Sequence, residues 1–136
     1  MQPHTPPPQV RDGREVNETH RAVMADLELL IQVEDPDAAA HGLANLRAVL
    51  PGHFAYEEVP DGVFDWIVAL APYHRRAVQE LVNDHHCLLE ELEALGPLHD
   101  ATGSPIQDAL DQAQAFCAHM RQHEARESEL LEAIGA

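Results

Sequence analysis

IQDALDQAQAFCAHMRQHEARESELLEAI, residues 106–134, is the stretch that decides the fold. Ile106, Leu110, Ala113, Phe116, Met120, His123, Glu127, Leu130 and Ile134 recur every three or four positions. That spacing puts side chains on one face of an α-helix. The face is apolar except where His123 and Glu127 fall in it. The pattern predicts a long helix whose inward stripe carries an imidazole and a carboxylate one turn apart. Just upstream, Ser104-Pro105-Ile106-Gln107 reads as a capping box with proline at the first helical position.

Working backwards, the same period returns three times. Val78, Leu81, His85, Leu88, Leu92 and Leu95 share a stripe on a helix opened by Pro72 and ended by GPLHDATG. Leu43, Leu46, Val49, Leu50, His53 and Glu57 share another, with Asp35 as cap and Pro36 at the first position. Pro51 and Gly52 fall inside it, which predicts a kink or break before His53. From about Arg14 to Val33 the stripe is His20, Met24, Leu27 and Ile31. VPDGVF is a turn leading to a short helical piece around Phe64–Ala69. No alternating run suggests a sheet. Four long helices with short links predict an all-α, antiparallel up-down four-helix bundle over residues 14–136. Residues 1–13, rich in proline and polar groups, read as a flexible tail.

The chain has 136 residues, enough for one domain with a real core. Its formal charge is −16, from 24 acidic and 8 basic residues, and every basic residue is an arginine. A field of that sign opposes nucleic acid and anionic membrane surfaces. No apolar run reaches membrane-span length and no signal segment opens the chain, so the expected location is cytoplasmic. Cys87 and Cys117 are too few for a disulfide scaffold and read as two buried reduced thiols.

Ten histidines are the unusual count. Positions equidistant from a hairpin turn lie at one height, which places His20 level with His53 and His85 level with His119. Ionisable groups pointing inward are costly unless paired or bound to metal. Histidines from four helices at one level, with a carboxylate beside them, therefore predict a metal site. Mixed imidazole and carboxylate donors suit iron or manganese, and a zinc site is the further alternative. On the last helix three pairings stay open: His119 with His123, His123 with Glu127, and His119 with Glu124. Of the adjacent His85 and His86, His85 shares the apolar stripe and His86 falls at its rim. His4, His41, His74 and His99 read as tail, turn or surface residues, and Glu90, Glu91 and Glu93 as a solvated acidic face. Trp66, Tyr56 and Tyr73 read as closing the ends of the bundle, with Tyr56 next to the site.

ETHRAVMADLELL (18–30), HFAYEEVPDGVFD (53–65), LVNDHHCLLEELEAL (81–95) and HEARESELLEAI (123–134) follow one another in order and spacing. In this the chain resembles the hemerythrin-like (HHE cation-binding) domains over roughly Val16 to Ile134. The resemblance implies a non-haem centre of two irons with oxo or carboxylate bridges, open to dioxygen or a related small oxidant such as nitric oxide or peroxide. It would make His20, His53, His85, His119 and His123 the nitrogen ligands, and Glu57 and Glu127 the carboxylates. The chain departs from hemerythrins proper in lacking a His-x-x-x-His pair on the third helix. Two other expectations stand beside oxygen binding: a di-iron enzyme acting on peroxide or ferrous iron, and a metal-poor interaction module. Glu-x-x-His pairs, the mark of carboxylate-rich ferroxidases, are absent. Nothing in the sequence names a protein partner.

Overall fold

A computed structural model of the chain describes residues 13–32 and 34–135, with side chains from residue 21 onward. The tail assigned to residues 1–13 falls almost wholly outside the described residues. Four long helices, α1 (Gly13–Ile31), α2 (Pro36–Glu58), α4 (Arg75–Ala94) and α5 (Gln107–Ala133), carry the fold, with short α3 (Val63–Leu70) between α2 and α4. A 3₁₀ turn at Pro72–His74 leads into α4. The described residues form no strand, only an isolated bridge between His99 and Pro105. Packing is cyclic: α1 lies against α2 and α5, and α4 against α2 and α5, so each long helix has two long neighbours. The fold is a helical bundle.

Local chemistry explains most element ends. Asp35 caps α2 by accepting from the Ala38 amide, and Pro36 occupies the first turn, where a missing N–H costs nothing. Pro51 does not break α2, which runs on as helix to Glu58. Pro51 is on the exposed face, where water can serve the carbonyl that its missing N–H leaves unpaired. The predicted capping box does not form: α5 begins at Gln107, with Ile106 as cap and no side-chain bond. Asp100 draws Ser104 away, accepting from its amide and from the Thr102 amide and hydroxyl. These donors hold the Asp100 carboxyl below its ordinary range.

The stripes are rotated slightly from those read in the sequence. On α1 the buried residues are Val23, Leu27 and Leu30, with Met24 and Ile31 at the edge. On α2 Val49 points outward and Phe54 inward. Arg47 reaches from α2 to the carbonyls of Leu92 and Leu95, where a cation complements the C-terminal end of α4. Cys117 is buried, its thiol pushed up to about 11 by burial, whereas Cys87 is exposed, against the expectation of two buried thiols. Tyr56 and Tyr73 are exposed.

The apolar core is in two parts. The larger joins α1 to α2 as far as Phe54, the second half of α4 with Leu95 and Leu98 beyond it, and the first half of α5. The smaller, Val63, Phe64, Ile67, Val78 and Leu81, ties α3 to the start of α4 and takes Leu130 and Leu131 of α5, and Ile134 just after it, against it. His85 lies between Leu81 of one part and Leu88 of the other, and His123 between Met120 and Leu130.

The contact between α1 and α2 is the closest in the bundle for a reason the periodicity hides. A Cβ on Gly42 would stand 2.8 Å from Leu29 Cβ and 2.9 Å from the Asp26 carbonyl oxygen. Helix propensity alone makes Ala at a helical Gly better by about 1 kcal/mol. Gly42→Ala is nevertheless expected to destabilise by ~1–3 kcal/mol, because the helices must separate. Thermal melts check this; a melting temperature at or above that of the parent would mean the approach is not constrained.

Candidate metal centre

Each helix end delivers its groups by simple arithmetic. Glu57 lies one turn beyond His53 on α2, and Glu127 one turn beyond His123 on α5. His85 lies mid-way along α4, four residues from Leu81. The bundle brings Glu57, His85, His123 and Glu127 together so that one donor atom from each lies within 4.8 Å of all the others. Their exposures are 4, 1, 0 and 2%, so water does not solvate the group.

The contacts are those of a coordination sphere closed on itself. His85 Nε2 lies 3.1 Å from His123 Nε2 and 3.5 Å from Glu57 Oε1, and His123 Nε2 lies 3.7 Å from Glu127 Oε2. The other nitrogen of each ring faces a carboxylate: His85 Nδ1 meets Glu58 Oε2 at 2.7 Å, and His123 Nδ1 meets Asp84 Oδ2 at 3.3 Å. An ionised carboxylate only accepts, so both rings donate Nδ1–H outward and turn an Nε2 lone pair inward. Two lone pairs 3.1 Å apart repel unless a proton or a metal ion stands between them. Carboxylate-held imidazoles of this kind are the usual support for metal-binding histidines.

Burial and the charge of Glu127 set the proton's place when no metal is bound. Desolvation first, then the hydrogen bond to Glu127 and its charge, raise the Glu57 pKa well above its ordinary value, which favours a proton held between the two glutamates. Burial lowers His85, partly offset by Glu58. Burial and then the neighbouring His85 lower His123, partly offset by Glu127 and Asp84.

The remaining predicted residues take distinct places. His53 stands outside the foursome, but its Nε2 is 3.4 Å from Glu57 Oε1, the oxygen that also faces His85. His119 is not brought to the four. Its Nδ1 meets Glu91 at 2.6 Å and its Nε2 lies 3.7 Å from Asp84. The register between α4 and α5 is offset from that read in the sequence: His123, one turn beyond His119, is level with His85. Of the three pairings on the last helix, His123 with Glu127 is the one whose donors face the centre. His20 lies on α1 by its backbone, and its side chain lies outside the described residues. His86 is exposed and His41 bonds to Asn45 on the surface. Glu91, read as part of a solvated face, instead holds His119.

Sequence reading missed the aromatic walls and the outer carboxylates. Phe54 stacks on the His85 ring, centroids 3.9 Å apart and planes 7° off parallel, and Phe64 packs against it at 5.5 Å. Phe54 also presents its ring to His123 at 5.6 Å. Asp84 joins His119, His123 and Arg126. A signal existed for Glu58 and Asp84, each adjacent in sequence to a residue of the stripe, though adjacency alone points them away from it.

No family model matches the chain, and neither the curated proteins nor the solved structures yield a match. Among the described residues no helix is long and apolar enough to cross a membrane. The centre therefore stands on its own geometry: four buried donors, two of them imidazoles pre-set to coordinate, that could hold a metal ion.

The pKa directions make a test. A raised Glu57 contributes stability at low pH that is lost as pH rises through its folded value. Lowered His85 and His123 contribute stability above the ordinary imidazole range that is lost as pH falls. Glu57→Gln keeps a donor for Glu127 without needing a proton. With a chelator present, it is expected to stabilise the protein at pH 8 by ~1–3 kcal/mol and to change little at pH 5. Denaturant melts at both values check this; equal effects at the two would remove the shared proton.

Proposed function

We propose that the chain is a hemerythrin-like metal-binding bundle, its four long helices antiparallel in up-down order. In this reading it holds two irons and takes up dioxygen or a related small oxidant such as nitric oxide or peroxide. The observation that carries this is the position of Glu57 Oε1, 3.4 Å from His53 Nε2 and 3.5 Å from His85 Nε2. A carboxylate flanked by imidazoles on two sides can serve an ion on each. His85, His123 and Glu127 would hold the first ion with Glu57, and His53 the second, with His20 of α1 added on the family pattern. A non-haem iron pair supplies reversible binding of a small oxidant where the ligands leave a position open. Phe54 and Phe64 keep that position dry, and Glu58 and Asp84 fix the imidazoles that face it.

The donor spacing favours one second reading. Three of the six donor separations, 3.1, 3.5 and 3.7 Å, bracket the edge, about 3.3–3.5 Å, of a tetrahedron with zinc-length bonds. A single closed zinc site would be structural rather than oxidant-binding. Elemental analysis of protein from iron-replete culture separates them: about two irons per chain with charge-transfer absorption is expected. One zinc and no iron would overturn the di-iron proposal. His53→Ala and His123→Ala are each expected to lose most of the metal, while His86→Ala and His99→Ala keep it. Retention of both ions by His53→Ala would also defeat the proposal.

A further inference from the structure

The four donors are shut away from solvent, so any ion that reaches them has to cross the protein wall. Two cavities bring solvent near. One, about 340 Å³, lies between α4 and α5 and includes Ala77, Leu81 and Arg126; its link to the centre runs through Arg126 and Asp84 to the outer nitrogen of His123. The other, about 630 Å³, is bounded by α3, the end of α2 and the start of α4, and its walls include Glu58, Phe64, Asp65, Val68 and Val82. Two of those walls touch a donor directly. Glu58 meets His85 Nδ1 at 2.7 Å, and Phe64 lies against the His85 ring.

We propose that the larger cavity is the port through which a divalent cation enters the centre. Glu58 and Asp65 are its capture groups and Phe64 is the inner door beside His85. The inference rests on the metal-binding reading and adds a route to it. Glu58 and Asp65 outnumber the one cation of the lining, Arg75, so the cavity is net negative in an acidic protein and concentrates cations. Glu58 spans the wall, its side chain 30% exposed at one end and bonded to a buried imidazole at the other. The door is mounted on a weak element. Phe64 is the second residue of an eight-residue helix, entered through a turn in which Asp61 takes a φ of 61°. Helices that short draw their stability from packing and open at lower cost than long ones.

The test loads metal-free full-length protein with Co²⁺ alone in stopped flow, read by visible absorption, and strips it with a chelator. Val82→Trp, which fills the port, is expected to slow loading and stripping alike by about tenfold while affinity stays within about twofold, because a blocked path changes both rates together. Asp65→Asn is expected to slow loading severalfold at low ionic strength and to lose that effect in high salt. Ala77→Trp, in the smaller cavity, is expected to load at the parental rate. Val68→Trp repeats the block should Val82→Trp not fold. Parental rates in the folded port variants, or equal slowing by Ala77→Trp, would overturn the port alone. A parent chain that takes up no Co²⁺ would overturn both the port and the metal-binding reading.

Discussion

His85 and His123 turn bare ring nitrogens toward each other across 3.1 Å, and the middle of the molecule is organised by the need to make that contact tolerable. Carboxylates outside the rings fix the tautomers that create the repulsion. Carboxylates inside supply the negative charge that a cation would neutralise. Without a cation, the proton shared by Glu57 and Glu127 relieves only the carboxylate half of the problem. The centre thus favours a positive ion between imidazoles whose own protonation burial disfavours.

That preference explains why the core is divided. A continuous apolar core through α4 and α5 would place leucines at 85 and 123, and such a replacement often stabilises a protein. Here the polar layer separates a large apolar cluster from a small one, and α3 seals the small one from below with Phe64 and Ile67. The two phenylalanines then do for the imidazoles what solvent cannot. Phe54 and Phe64 pack against the His85 ring, so its plane and its aim toward His123 are set by packing as well as by Glu58.

The sequence makes the inward stripes legible because burial obeys the helical period, and His85, His123, Glu57 and Glu127 are all found where the stripes place them. What escapes is whatever depends on how helices meet. The offset between α4 and α5 follows from a connection that starts as extended chain at Leu95 and ends on a turn tied by Asp100, and counting from its midpoint misplaces His119 by a turn. Gly42 takes its meaning only once α1 is seen lying against it. Pro51 reads as a break until its face proves to be solvent. Glu58 and Asp84 stand next to stripe residues, about 100° away around the helix, and only a neighbouring helix can bring an imidazole to them.

The same acidity that would draw a cation in also favours its chief competitor. Glu58, Glu124 and Glu127 all raise the Glu57 pKa, so the group most central to the ion is also the one most ready to hold a proton. A single divalent ion held by these four donors would resolve the competition through charge balance. Two carboxylates and two neutral imidazoles cancel its charge, leaving a neutral unit in a low-dielectric layer. A trivalent ion would leave one positive charge unbalanced there, and Glu58 is the nearby carboxylate linked to the centre through a ring that can pass on its influence. An ion that takes the proton's place can engage all four donors at once. That engagement would tie α2, α4 and α5 together at a single point.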